Sequence, residues 1–422
     1  MEAVETMKDM EDKGPTQPPA VVEAPIPATP QSFAEFGVSA PIVEALALRD
    51  FHATFPIQAL VLRDAISGRD VLARSRTGSG KTLAFAIPIV ERLKHDKSSP
   101  SALILVPTRE LASQVAEEFR TIADVKQLKV ATVYGGVGLK EQADRAAKSD
   151  IVIATPGRLL DLFRRRLLQL NRVQIAVLDE ADRMLDMGFL PDVSDILAQL
   201  PDKRQTMLFS ATLDGEVGRL AARYTDDPIL HEIIEDRPII EEAHHRFIAV
   251  PREQKVAVLA RELAGDRGLT LIFSRTKAGA DRLAQTLKAQ GFGAQALHGD
   301  MSQAARERAL ARFAAGKSDV LVATDVAARG LDLEHITHVV NFDPPDDDKS
   351  YIHRVGRTAR AGRTGTGITL VTPEQRADVS RMVRMLGLEA EFTEAGMKVL
   401  PPQLVYVGGR GKNRMMGRRR RR

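Results

Sequence analysis

A chain in which short apolar runs alternate with amphipathic stretches of helical period has few folds open to it. From Phe33 onward this sequence reads that way. Val71–Ala73, Ala102–Val106, Val130–Tyr134, Ile151–Ala154, Ile175–Leu178 and Met207–Phe209 are apolar runs of strand length. Between them lie stretches such as Glu110–Ile122, with Leu111, Val115 and Phe119 at helical spacing. Continuous apolar runs suit strands covered on both faces, so the alternation predicts an α/β fold, a parallel sheet flanked by helices. The pattern weakens across Glu232–His245, where acidic residues surround Pro238. It resumes with Arg246–Val250, Thr270–Phe273, Ala294–Leu297, Asp319–Ala323 and Thr337–Asn341 as strands. Two domains are expected, at residues 32–234 and 246–388, with a linker at 235–245.

The 422 residues include no cysteine, which removes disulfides, thiolate zinc sites, iron–sulfur clusters and cysteine nucleophiles together. Nine scattered histidines without paired spacing leave little for a structural metal. The longest apolar stretches, such as Leu83–Val90, fall far short of the roughly 20 residues a membrane helix needs. Met1–Lys13 is acidic and lacks the apolar core of a secretory signal, so a cytoplasmic setting with no membrane is expected.

The net charge of +4 is unevenly spread. Residues 1–31 hold six acidic and two basic side chains, residues 408–422 hold eight Arg or Lys and no acid, and the stretch between is neutral. Residues 1–31 also contain six prolines and no aromatic residue; they cannot bury enough surface to offset their ordering entropy and read as disordered. Residues 389–422 read as a flexible basic tail. The charge that seeks polyanions is therefore terminal, and the body must bind its partners through shaped sites.

Ser75-Arg76-Thr77-Gly78-Ser79-Gly80-Lys81-Thr82 follows the Val71–Ala73 strand and opens a helical run, the context of a phosphate-binding loop. Its glycines let the backbone N–H groups from Thr77 through Ser79 and Gly80 close around phosphate oxygens at a helix N-terminus. Lys81 would reach the β- and γ-phosphates, and the Thr82 hydroxyl would face Mg²⁺. Ala315-Gly316-Lys317-Ser318 has no such loop and precedes its strand, so it reads as a surface turn and leaves a single ATP site. Ile175–Asp182 places three carboxylates just past an apolar strand, where parallel sheets bind ligands. Asp179 would hold Mg²⁺ through water, and Glu180 is suited to orient or deprotonate the attacking water. Loop and carboxylates together make a nucleotide hydrolase site.

In order along residues 33–366, the chain resembles the DEAD-box ATP-dependent RNA helicases. The matching segments are Phe33 with Phe51 and Pro56-Ile57-Gln58, the loop Ser75–Thr82, Pro107–Ala112, Gly135-Gly136, Thr155–Arg158, Asp179–Asp182 and Ser210-Ala211-Thr212. The second half adds Ile272–Lys277, Thr324-Asp325 through Asp332, and His353–Arg360. The resemblance implies two tandem RecA-like domains, each a parallel sheet flanked by helices, between disordered tails. It implies that Gln58 reads the adenine edge and Phe33 stacks on the ring, although Asp50, Thr54 and Phe55 stand where Gly, Pro and Thr are usual. It implies that Arg357 and Arg360, three apart on a short helix, reach the γ-phosphate from the second domain. Gly330 and Asp332 belong to the motif that meets ATP, with Asp332 at the ribose, and Ala359 replaces a usual glycine. Asp182, Ser210 and Thr212 are implied to couple hydrolysis to strand separation.

By the same resemblance, nucleic acid contacts fall to Pro107, Thr108, Arg109, Gly135, Gly136, Thr155, Gly157, Arg158, Thr276 and Thr324. They are hydroxyls, arginines and amides at strand-to-helix turns, which suits phosphate and sugar oxygens and implies little sequence specificity. RNA is the implied strand, through 2′-hydroxyl contacts. The expectation is an RNA-stimulated ATPase, a bacterial RhlE-like monomer, that closes two domains on ATP-Mg²⁺ and RNA to unwind short duplexes or remodel RNA–protein complexes. Ribosomal precursors or the RNA-degradation machinery are the expected setting. An ATP-dependent clamp without unwinding, or an annealing protein working through its basic tail, would be the alternatives.

Overall fold

The computed structural model describes residues 31–75, 80–95, 100–233, 243–328, 335–358 and 365–400, together with the backbone of the strand Ala20–Glu23. The chain separates into two compact units, with the principal break between Glu232 and Ala243. The first unit carries β1 (Ala20–Glu23), β2 (Val71–Arg74), β3 (Ala102–Leu105), β4 (Val130–Val133), β5 (Ile151–Ala154), β6 (Ile175–Asp179), β7 (Gln205–Ser210) and β8 (Ile229–Glu232). They form one sheet in the order β1-β8-β2-β7-β6-β3-β5-β4, every pair parallel.

The apolar runs are continuous because each strand serves two cores. Ile104, Ile151, Ile153, Ile175 and Val177 face one core with Phe85 and Phe119, whereas Leu103, Leu105, Val152, Ala176 and Leu178 face the other with Leu159 and Leu162. Each of the Ile, Leu, Val and Phe side chains among them, fully buried, stabilises the fold by about 1.5–3 kcal/mol. The helix Lys81–Arg92 is buried from Leu83 to Val90, and its Phe85 meets Phe209 of β7 edge-on at 5.2 Å.

The second sheet comprises β9 (Ala243–Ala249), β10 (Leu269–Phe273), β11 (Ala294–Leu297), β12 (Val320–Ala323), β13 (Ile336–Asn341) and β14 (Gly365–Val371), in the order β11-β12-β10-β13-β14-β9. From β12 to β9 its pairs are parallel. The two helix-flanked parallel sheets expected from the sequence are both present.

Three boundaries differ from expectation. Within the N-terminal segment expected to be disordered, Ala20–Glu23 pairs with Ile229–Glu232 and adds an edge strand, because an open sheet edge offers unpaired backbone groups that need no apolar signal. β9 begins at Ala243, inside the expected linker; His245 is buried there and shares a 2.7 Å hydrogen bond with the Tyr351 hydroxyl. The second unit also continues past Leu388. The helix Glu389–Glu394 buries Phe392, which meets Phe247 edge-on at 5.4 Å, and Met397 is buried in the same cluster. The turn before β12 is a surface turn as expected, with Lys317 exposed and Gly316 at φ +66°.

Candidate active site

Strands β2, β7 and β6 are neighbours, so the three segments that follow them meet at one edge of the first sheet. Arg74 is in register with Ser210, Asp179 with Phe209, and the Ser75 N–H donates to the Ser210 carbonyl at 3.0 Å. Gly80 enters the helix Lys81–Arg92 at φ +80°, and a Cβ there would lie 2.8 Å from Gln58 Nε2, so both backbone and space require glycine. Lys81 is buried and its Nζ donates to the Ser75 carbonyl at 3.1 Å. Thr82 follows it, half-buried. Thr77, Gly78 and Ser79 lie outside the described residues.

Asp179 ends β6 fully covered and accepts the Glu180 N–H at 2.9 Å. Burial pushes its carboxyl up to about 6, against the pull of the Lys81 ammonium. A buried carboxylate and a hydroxyl at the opening of the helix Lys81–Arg92 are all-oxygen donors, which fit Mg²⁺ better than any nitrogen- or sulfur-seeking metal. Glu180 takes a left-handed backbone, φ 53° and ψ 49°, which a residue with a Cβ adopts at a cost of roughly 1–2 kcal/mol. Its carboxylate oxygen Oε2 accepts Arg183 Nη1 at 2.5 Å, with both side chains buried. Asp182 is tied to β7: its N–H donates to Ser210 Oγ at 3.2 Å, and Asp182 Oδ2 accepts the Ala211 N–H at 3.1 Å. Ser210 thus bridges the ends of β6 and β7, and Thr212 joins through its N–H, 3.4 Å from Ser210 Oγ.

Gln58 is wholly buried and spans the same edge, Oε1 accepting the Phe55 N–H at 2.9 Å and Nε2 donating to the Gly80 carbonyl at 2.8 Å. Phe33 does not fit its expected role. It is 1% exposed, packed into the core with Ile57 and Val61, and has no face to offer a base. The exposed aromatic ring is Phe55, 49% exposed, with its Cδ2 2.9 Å from where a Cβ on Gly80 would stand. Asp50, in the place of a usual glycine, adopts φ 61°, a region that aspartate tolerates better than most residues.

β3, β5 and β4 continue the same edge. Thr108 caps the helix Arg109–Ala123, its hydroxyl accepting the Leu111 N–H at 3.3 Å. A hydroxyl that accepts in this way still holds a proton to donate outward. The Arg109 guanidinium lies over Gly135 and Gly136, 2.9 Å from where a Gly135 Cβ would be. Arg158 Nη1 donates to the Val137 carbonyl at 2.9 Å and to Gln142 Oε1 at 3.3 Å, and Gln142 Nε2 donates to the Tyr134 carbonyl at 3.0 Å. Thr155 stands at the N-cap position of the helix Pro156–Arg164 without a side-chain cap bond, Gly157 is that helix's second residue, and Pro107 precedes Thr108. Three motifs scattered in sequence are therefore one surface. Its organiser, Gln142, carried no signal in the sequence.

Thr276 caps the helix Lys277–Ala289, accepting the Gly279 N–H at 3.0 Å, and Thr324 is buried just past β12. The helix Asp348–Val355 ends before Arg357, which sits buried in the following turn and not on the helix face expected for it. The turn is anchored by Arg354, whose Nη1 donates to Asn341 Oδ1 at 3.1 Å and to the Asp343 carbonyl at 2.6 Å. Gly330, Asp332 and Arg360 lie outside the described residues.

Comparison with known proteins agrees with this layout. Residues 55–220 match the family model "DEAD/DEAH box helicase", and residues 254–362 match "Helicase conserved C-terminal domain". The DEAD-box ATP-dependent RNA helicase CshA of Geobacillus kaustophilus is 42% identical over 356 residues, 84% of this chain and 76% of that protein. Its namesake in Bacillus subtilis is 41% identical over 348 residues, 82% of this chain and 70% of the relative. Among solved structures, S. cerevisiae Dbp5 bound to RNA and ADP BeF3 is similar with TM-score 0.77 and 31% identity, covering 85% of this chain and 94% of that one. Mss116p bound to ssRNA and AMP-PNP gives TM-score 0.77 and 27% identity, covering 87% and 80%.

Proposed function

The chain belongs to the DEAD-box family of ATP-dependent RNA helicases, and on that premise we propose how its own residues divide the work. It hydrolyses ATP, with Mg²⁺, to unwind short RNA duplexes locally or remodel RNA–protein complexes through RNA-stimulated closure of its two RecA-like units. The observation that carries the assignment of roles is the meeting of Lys81, Asp179, Glu180 and Ser210 at the ends of β2, β6 and β7.

Lys81 leaves the Ser75 carbonyl to take the β- and γ-phosphates, cradled by the loop residues 77–80. Thr82 and Asp179 are the residues that would hold Mg²⁺, which when bound neutralises charge on the transferred phosphate. Glu180 orients the attacking water and receives its proton. Gln58 pairs with the adenine edge, and Phe55 in place of Phe33 supplies the ring face beside it. Arg357 and Arg360 complete the site on closure, a contribution that can reach ~10³–10⁵ in rate. Asp182 and Ser210 link it to the RNA edge, where Arg109, Arg158 and the amides of Gly135 and Gly136 meet phosphates. Ribosomal precursors or degradation complexes as substrates, a monomeric state and a cytoplasmic place remain part of this proposal, as does an RhlE-like subgroup.

Glu180→Gln tests the assignment. ATP turnover should fall by roughly a thousandfold while affinity for ATP changes little, because binding rests on Lys81 and the loop amides. The variant should accumulate as a long-lived complex on RNA. Turnover near the parent's would remove Glu180 from the mechanism.

A further inference from the structure

Arg183 is the one charged group at the acidic strand end to which the hydrolysis scheme gives no task. Its side chain is 1% exposed, and Nη1 lies 2.5 Å from Glu180 Oε2. Its other donors, Nε and Nη2, have no hydrogen-bond partner among the described residues. A buried guanidinium with two idle donors is costly, and an apolar side chain of similar volume would often fill such a place at no loss of stability. Packing alone therefore does not account for an arginine here.

The pair also differs from the other i,i+3 ion pairs among the described residues. Arg120–Glu117, Arg219–Glu216 and Arg381–Asp378 have both members more than half exposed, where such a bond contributes little. Glu180 and Arg183 are almost completely covered, and Glu180 is fixed at its other end by a left-handed backbone. A flexible two-methylene side chain is thereby held at both ends. A carboxylate has about four lone-pair positions, so one bond to Oε2 leaves capacity to accept from a water.

Resting on the reading of Glu180 as the water-orienting carboxylate, we propose that Arg183 is a positioning residue for hydrolysis: it holds the Glu180 carboxylate by Oε2 so that the group is aimed before water and nucleotide arrive. Arg183 touches neither ATP nor water. It acts through Glu180, as an outer-shell partner acts through a metal ligand, where such losses run to roughly 10–100-fold.

The test is a kinetic cycle on the full chain with Glu180→Gln, Arg183→Met, Arg183→Lys and the double variant Glu180→Gln/Arg183→Met. Arg183→Met should lower single-turnover hydrolysis roughly 10–100-fold and leave KM for ATP, and affinity for a non-hydrolysable ATP analogue, within about twofold. Arg183→Lys, which restores one cationic donor, should recover part of the rate. In the Glu180→Gln background, Arg183→Met should cause no further loss. Should Arg183→Met alone fold poorly because it strands a buried carboxylate, Arg183→Lys and the double variant, which keep the site balanced, carry the comparison. A folded Arg183→Met at or above the parental rate, a change confined to KM, or losses that multiply in the double variant would each overturn the inference. A fast Glu180→Gln would instead overturn the role of Glu180 itself, so the two failures are distinct.

Discussion

Asp179 shows at a single residue how function is set against stability. Burial pushes its carboxyl up to about 6, from an ordinary value near 3.8, despite the Lys81 ammonium beside it. The folded state therefore holds that proton more tightly than the unfolded chain does. Whatever the protonated group contributes is fully present below the unfolded value and is lost as pH rises through about 6. At pH 8, without Mg²⁺ or nucleotide, a buried charge remains that the Lys81 ammonium and the Glu180 N–H compensate only in part. Asp179→Asn should then melt higher than the parent at pH 8, by on the order of 1–3 kcal/mol, and nearly level with it at pH 5. Its ATP hydrolysis should be lost at both. An equal melting difference at the two pH values would mean that Asp179 is not strained by its charge. The sequence made this residue a candidate by its place past an apolar strand, but which aromatic ring faces the nucleotide was not legible. The resemblance points to Phe33 alone, and only packing shows that Phe33 is core and Phe55 exposed.

At the scale of elements, strands covered on both faces announced themselves, because their inward and outward positions are equally apolar. β8 and β14 did not. Ile229–Glu232 has two apolar residues before two polar ones, and Gly365–Val371 begins with glycine and threonine, which dilute the signal. The helix caps are half legible: Thr108 and Thr276, expected from the resemblance to meet RNA, are helix caps in the structure, and a capping hydroxyl keeps a proton to donate. Gln142 was invisible since a lone polar residue on a short amphipathic helix usually faces water, whereas here it is 1% exposed and holds the loop after β4. Gln142→Ala should release the Tyr134 carbonyl and Arg158 together. Stability should drop by about 1–2 kcal/mol, the loss of a buried hydrogen-bonded group. RNA affinity by fluorescence anisotropy should weaken roughly 3–10-fold, since 1 kcal/mol corresponds to about fivefold. ATP-analogue affinity without RNA should not move. Were RNA binding unaffected, the Gly135–Arg158 surface would not be the RNA edge.

Over the whole molecule, charge and shape are divided between different parts of the chain. The stretch between residues 31 and 408 is neutral, yet it carries the arginines and amides proposed to meet RNA phosphates, so its grip depends on geometry. Residues 408–422 hold eight cationic side chains, no acid and four glycines, a composition that binds polyanions without reading them. Tethered to the body, such a segment meets RNA already bound there at high effective concentration. It should therefore add affinity while leaving the chemistry, proposed for Lys81, Asp179 and Glu180, untouched. Counterion release sets the size of the effect: eight cations fully engaged on a single strand change the slope of log K against log salt by at most ~5–6. A chain ending at Val407 should bind RNA more weakly, with a shallower salt slope, and the difference should close as salt rises and screening removes the tail's share. Its maximal ATPase rate at saturating RNA should match the full chain's, because a grip that acts only on encounter and residence is no longer limiting once RNA is in excess. Identical salt slopes for the two chains would show that these cations are merely solvated. A fall in maximal rate would show that they enter the closed state itself.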